Sequence, residues 1–264
     1  MTDLIHVILL GIIEGITEFL PISSTGHLLI AEKLGLGARS DLFNVGIQAG
    51  AILAVTFIYW KRIWQLLTQW REPGNRDYLA KLVVAFAITA VLGFACEKLG
   101  FKLPVTITPI AWALVIGGFW MLGAEALAAR QPDRTAVTWP VAILVGLAQM
   151  VAGIFPGTSR SAASIFTAML AGTSNRAAAT EFSFLVGIPT MYAATGYLLL
   201  KAFKAGGAAH EDWTALIVGF VVSLVVGFVA VKWLLGYIRS HRFTPFAIYR
   251  IALGIALLIW MPGA

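Results

Sequence analysis

Long apolar runs separated by short polar breaks recur from one end of the chain to the other. A helix needs roughly 20 apolar residues to span a bilayer, and runs of that length predict six full spans at 42–60, 79–99, 105–127, 178–200, 213–236 and 244–262. The runs are continuous rather than alternating every second residue, which argues against a membrane β-barrel. Two further apolar regions, 4–33 and 138–171, are each broken in the middle by a proline-centred polar segment. Proline removes a backbone donor and clashes with the preceding turn. The groups it frees within a bilayer must be satisfied by protein or water. Each region therefore reads as a re-entrant helical hairpin, a half-helix in, a polar turn near mid-depth and a half-helix out. The order is hairpin, three spans, hairpin, three spans. Three is odd, so the second half enters the membrane reversed. The predicted class is an all-α polytopic membrane protein, one integral membrane domain over 1–264. It is built as an inverted-topology repeat of approximately 1–135 and 136–264, which brings two broken helices together near the midplane.

Composition agrees. The chain has 264 residues, 59% hydrophobic and 12% charged, about half the charged share of a soluble domain. The net charge of +6 lies between the apolar runs, where topology and anionic headgroups account for it. Membrane lipids rather than nucleic acid are the expected partners. One set of loops holds Lys61, Arg62, Arg71, Arg76, Lys81, Arg130, Arg134, Arg176, Arg239 and Arg242, and the other holds Lys33, Arg39, Lys98, Lys102, Lys201 and Lys204. The richer set is expected in the cytoplasm, so the first hairpin opens outward and the second enters from inside. No basic cluster precedes the first apolar run, so that segment is expected to remain in the mature protein. A single cysteine, Cys96, excludes an intramolecular disulfide and a cysteine-rich metal site.

The two breaks carry the candidate chemistry. The first reads Glu14-Gly-Ile-Thr-Glu18-Phe-Leu-Pro21-Ile-Ser23-Ser24-Thr25-Gly-His27, and the second Gln149-Met-Val-Ala-Gly153-Ile-Phe-Pro156-Gly157-Thr158-Ser159-Arg160-Ser161. Aligning Pro21 with Pro156 pairs Glu14 with Gln149, Ser23 with Thr158 and Ser24 with Ser159. Glu14 and Glu18, four apart, share a helix face. A carboxylate at mid-bilayer costs roughly 2.5–3.5 kcal/mol, and two repel unless a cation intervenes. They suit Mg²⁺ or Ca²⁺ ligation or an acid and base; the alternative is a pair neutralised by a structural partner. Ser23, Ser24, Thr25 and His27 suit helix caps, or a nucleophile with a proton shuttle. Gly157, Thr158, Ser159, Arg160 and Ser161 open an apolar half-helix whose free amides attract anions. Arg160 offers a fork matched to phosphate oxygens, unless it only pairs with Glu14 or Glu18. Arg250 reads either as neutralising the site or as packing, and Asn44 and Gln48 face the first hairpin if the repeat packs symmetrically. Glu125 and Glu181 fall near span ends, where solvation would suffice. Trp60, Trp64, Trp70, Trp112, Trp139 and Trp213 read as interfacial anchors.

Both segments, with Gln48-x-Gly-x-x-x-Ala-Val and Phe243-Thr-Pro-Phe-x-x-Tyr-Arg250, resemble the undecaprenyl-diphosphatase family, the bacterial bacitracin-resistance phosphatases, over essentially the full length. The resemblance implies hydrolysis of the C55 isoprenoid diphosphate to the monophosphate and inorganic phosphate, recycling the lipid carrier for peptidoglycan and related polymers. It implies a metal-dependent enzyme of the bacterial inner membrane, with its site reached from the periplasm. The acidic motif maps onto Glu14 and Glu18, the serine–histidine motif onto Ser23, Ser24 and His27, and the arginine motif onto Thr158, Ser159, Arg160 and Ser161. This chain departs at Asn44, where many members carry an acid, so no metal or proton role carries over to that position.

The expected catalytic residues are then Glu14, Glu18, Ser24, His27 and Arg160. Ser23, Thr25, Gly157, Thr158, Ser159 and Ser161 join Arg160 in binding, and a divalent cation sits on Glu14 and Glu18. Preorganised electrostatics of this kind dominate phosphoryl transfer. Ser24 is the first choice of nucleophile, with His27 as base or as the phosphate acceptor; attack by metal-bound water is the rival. The expected partners are a polyprenyl diphosphate lipid, membrane lipids and a second copy of the chain as a homodimer. The second functional reading is a lipid-phosphate flippase, which needs the arginine and helix ends but no nucleophile.

Overall fold

The computed structural model describes residues 2–100, 106–204 and 211–261, and every regular element among them is helical. The α-helices in chain order are α1 (Thr2–Thr17), α2 (Ser24–Ala31), α3 (Asp41–Ile58), α4 (Trp60–Thr68), α5 (Pro73–Lys98), α6 (Ile107–Ala128), α7 (Trp139–Ile154), α8 (Arg160–Ala171), α9 (Arg176–Lys204), α10 (Trp213–Tyr237) and α11 (Thr244–Trp260). Five of them, α3, α5, α6, α9 and α10, are long and apolar enough to cross a membrane, and α11 has 17 residues. These six helices overlap the six apolar runs read as spans, five of them at membrane-crossing length. Residue 105 of one expected span, residue 262 of another and Lys102 lie outside the described residues.

Two local differences have plain causes. Helix α5 starts at Pro73, before the apolar run, because proline suits a first helical position and the Asn75 amide ties back to the Gln69 carbonyl (3.3 Å) and Glu72 carboxylate (2.9 Å). The amphipathic α4 was hidden in what reads as a loop; its Trp60 and Trp64 stack at 5.9 Å. Those two, with Trp70, Trp112, Trp139 and Trp213, are exposed, as anchors require. Glu125 departs from its expectation. It is buried, ion-paired with Arg176, and accepts the free amide of Phe243 at the start of α11 (3.1 Å). Solvation near a span end is therefore not its role. Glu181 pairs with Arg62 (3.3 Å) at partial exposure.

Helices α1 and α2 are separated by a turn holding Pro21, and α7 and α8 by one holding Pro156. Around them the long helices pack by small residues, as helices in lipid do. Helix α1 lies on α10, where a Cβ at Gly15 would stand 2.8 Å from the Ser223 carbonyl oxygen. Helix α7 lies on α5, and Thr89 donates across to the Gly146 carbonyl at 2.9 Å. Helix α6 lies on α11, where a Cβ at Gly254 would stand 2.7 Å from the Ala111 oxygen. Buried rings fill the space around the turns, with Phe19 edge-on to Phe184 and Phe166 edge-on to Phe243, each pair at 5.2 Å.

Candidate active site

The first turn is built from the end of α1. Glu18 follows the last helical residue, yet its amide still donates to the Glu14 carbonyl (3.0 Å). Both carboxylates therefore leave one face, and both are buried. After Pro21 the chain re-enters a helix through Ser23, whose φ of 78° is left-handed and whose hydroxyl accepts from the Gly26 amide (3.4 Å). Ser24 then heads α2 and donates its hydroxyl proton to Oε2 of Glu18. Thr25 is exposed at the same helix start. His27 is tied elsewhere: its Nδ1 meets the Ser23 carbonyl (2.7 Å) and its Nε2 the Tyr249 hydroxyl (2.7 Å). A carbonyl only accepts, so in the neutral ring the proton sits on Nδ1, and Nε2 accepts from Tyr249.

The second turn repeats the device one residue later. Ser159, at φ 69°, caps α8 by accepting from the Ala162 amide (3.2 Å). Structurally Ser159 therefore pairs with Ser23, not Ser24. The second turn has one more residue between proline and cap, which a gapless alignment on the prolines misses. Gly157 is obligatory there: φ is 94°, and a Cβ would stand 2.9 Å from the Ile110 carbonyl oxygen. The Ser161 hydroxyl donates to the Leu20 carbonyl (3.1 Å), which uses its single proton. Ser159 must then donate to Ser161 (3.0 Å). That chain of hydroxyls ties the second turn to the first.

Between the turns lies a cavity of about 40 Å³ lined by Glu18, Ser23, Ser24, Thr25, Gln48, Gly157, Ser159 and Arg160. Two helix N-termini border it, and the opening amides of each lack intrahelical partners. Arg160 is half-buried, and among the described residues its guanidinium makes no hydrogen bond or ion pair. It makes no direct ion pair with Glu14 or Glu18, though its charge acts on Glu14. His27 does not line this cavity. A larger groove of about 240 Å³ adjoins on the first-turn side, lined by Glu14, Ser24, Thr25, Leu28, Leu29, Glu32, Asn44, Val45 and Gln48. Asn44 and Gln48 thus face the first hairpin.

The carboxylates suit a hard cation. Glu14 Oε2 and Asn44 Oδ1 are buried without hydrogen-bond partners, and both residues line the groove. Such oxygens are what Mg²⁺ and Ca²⁺ prefer. Among the described residues no group of three or more His, Cys, Asp or Glu forms, so water and substrate oxygens would complete the shell. Two neighbours of the turns stand outside the expected site residues. Tyr249 was marked only by the Phe243-Thr-Pro-Phe-x-x-Tyr-Arg250 stretch, and Arg250 by that stretch and by a cation in an apolar helix. The partners of Arg250, the carbonyls of Pro21 (3.3 Å), Thr158 (2.9 Å), Gly157 (3.0 Å) and Ala113 (3.1 Å), are distant in sequence.

Membrane-length apolar helices around a buried pocket of capped turns, carboxylates and a free guanidinium define a multi-pass membrane protein with a site suited to anions. Over residues 7–256 the chain matches the family model described as Bacitracin resistance protein BacA, and it belongs to that family. It is 71% identical over 256 residues to a Rhizobium etli protein named Undecaprenyl-diphosphatase, covering 97% of this chain and 96% of the other. It is 61% identical over 264 residues to a protein of the same name from Xanthomonas euvesicatoria pv. vesicatoria, covering 100% and 99%.

Proposed function

We propose that this protein is a membrane phosphatase hydrolysing undecaprenyl diphosphate to undecaprenyl phosphate and inorganic phosphate. The observation that carries the reading is Ser24 hydrogen-bonded to Glu18 opposite the unpaired Arg160, at two helix N-termini. The name shared by relatives over nearly full length supports the same substrate. The terminal phosphoryl group enters the cavity, where Arg160, the helix amides and the Thr25 hydroxyl hold its oxygens, Ser159 contributing through its backbone because its hydroxyl proton is given to Ser161. The groove beyond, with Leu28, Leu29 and Val45, suits the start of the prenyl chain.

Glu18 takes the Ser24 proton as Oγ attacks the terminal phosphorus. The P–O bond to the bridging oxygen breaks, and undecaprenyl phosphate leaves. Water then attacks the phosphoserine phosphorus, the P–Oγ bond breaks, Glu18 returns its proton to Ser24, and inorganic phosphate departs carrying the water's oxygen and protons. Glu14 and Glu18 would hold a divalent cation, which supplies charge neutralisation for the diphosphate. His27, held by Ser23 and Tyr249, is placed to orient the turn. All of these groups come from one chain, so the chemistry requires no homodimer.

The membrane arrangement is part of the proposal: two re-entrant hairpins in one inverted-repeat domain of the bacterial inner membrane, opening outward on the α2 side. Its support is the matched packing of α1 on α10 and α7 on α5, the two capped turns, and the loop charges. A contribution to bacitracin resistance follows from carrier recycling. Purified protein in detergent, given undecaprenyl diphosphate, should release phosphate, and a chelator should stop it. Ser24→Ala should abolish release, and ³²P should be trapped on Ser24 within a single turnover. A flippase would bind the lipid and release nothing; that outcome sinks the reading.

A further inference from the structure

Arg250 is 0% exposed, yet no carboxylate pairs with it among the described residues. Its charge is met only by four carbonyl oxygens, those of Pro21 in the first turn, Gly157 and Thr158 in the second, and Ala113 on α6. The space it fills is kept by Gly117, where a Cβ would stand 2.3 Å from Nη2. A buried cation is expensive, and an apolar side chain would fill the space with less penalty. The fork does what an apolar side chain does not: it joins the two turns through one rigid plane. In a trans peptide the N–H points opposite to the preceding C=O. Drawing the Thr158 carbonyl onto Arg250 therefore aims the Ser159 amide away from it, towards the cavity that Ser159 lines.

We infer that Arg250 is a positioning residue that locks the two proline turns in register, so that Ser24 and Arg160 face one phosphoryl group. The inference rests on the phosphatase reading for its catalytic consequence, though not for its first test. That test is hydrogen–deuterium exchange in detergent on the wild-type protein, Arg250→Ala, Arg250→Lys and Gly117→Ala. In Arg250→Ala, peptides over 18–27 and 153–162 should both exchange about tenfold faster or more, while α5 and α10 stay within about twofold. Gly117→Ala, which displaces the guanidinium but keeps its charge, should loosen the same two segments.

Turnover is the second readout. Arg250→Ala should lower kcat about 100-fold, the scale of a 1 Å misplacement, with KM within about threefold. Arg250→Lys, a point charge without the fork, should fall between, about tenfold down. If Arg250→Ala does not fold, Arg250→Lys and Gly117→Ala carry the test. Unchanged exchange in the turns, an even rise across all helices, or wild-type kcat in Arg250→Lys would overturn the inference. Wild-type protein that releases no phosphate would instead overturn the phosphatase reading and leave the exchange result standing.

Discussion

The turns around Pro21 and Pro156 restart their helices alike, each through a serine with positive φ that accepts the amide three residues on. What precedes and follows them differs. Before the first stand Glu14 and Glu18, and before the second Gln149 and Gly153; after the first come Ser24 and Thr25, and after the second Arg160 and Ser161. One backbone device thus serves two chemistries. In the proposed reaction the first hairpin contributes acceptors and the attacking hydroxyl, and the second the Arg160 cation. The spaces behind them differ as well. The groove beside Glu14 opens to about 240 Å³, while the cavity beside Gln149 and Ser183 holds about 20 Å³. A diphosphate lipid needs both kinds of partner and room on one side. On the proposed reading, the roomier first-turn side is the one that admits the lipid.

The sharpest way to break this division is to remove one contribution from each side. Glu18→Gln and Arg160→Ala should each lower phosphate release by about 10²–10³-fold or more, the scale of losing a preorganised electrostatic partner. Both should remain monodisperse in detergent with near-native melting, since neither residue carries a structural ion pair. A variant keeping a tenth of wild-type turnover would end the assignment for its side.

The helices, the interruptions and the polar residues at them were legible in sequence because each has a local signature: apolar length, proline, and a charge where charge is expensive. Glu18, Ser24 and Arg160 are brought to one cavity as their motifs suggest. His27 is not, because four residues of helix carry its ring onto the Ser23 carbonyl and towards Tyr249. Sequence left Arg250 open between two readings and misplaced Glu125 as solvated, for one reason. Each has partners far away in sequence, the turn carbonyls for Arg250, and the Arg176 guanidinium with the Phe243 amide for Glu125. The register of the second turn was missed because its extra residue leaves both prolines and both caps in place.

A milder perturbation makes the halves more alike. Glu14→Gln copies Gln149 into the first hairpin. It should raise the Mg²⁺ or Ca²⁺ needed for half-maximal release by about tenfold or more, because one of two anionic ligands is gone. Metal titration after chelator removal reads this directly, and an unchanged midpoint would remove Glu14 from the cation. On the other side, both polar atoms of the buried Gln149 amide lack partners. Gln149→Leu should leave turnover within about threefold and should not lower stability, since an unpaired buried amide costs about 1–3 kcal/mol. A large loss of activity there would show that the second hairpin does more than donate.

The finest distinction lies in the two caps. A left-handed φ costs a non-glycine residue roughly 1–2 kcal/mol, and serine at a cap returns about as much through its hydroxyl. Ser23→Gly removes both and should leave the melting temperature nearly unchanged, whereas Ser23→Ala keeps the strain, loses the cap and should melt lower. Ser159 has a second duty, donating to Ser161 in the chain that reaches the Leu20 carbonyl. Ser159→Gly should therefore be less stable than Ser23→Gly by about 1 kcal/mol, one buried hydrogen bond. That corresponds to roughly 2–4 °C in a chain of this size. Equal melting of the two glycine variants would mean that the Ser159–Ser161 bond adds nothing, leaving the Ser161 bond to the Leu20 carbonyl and Arg250 as the ties between the turns.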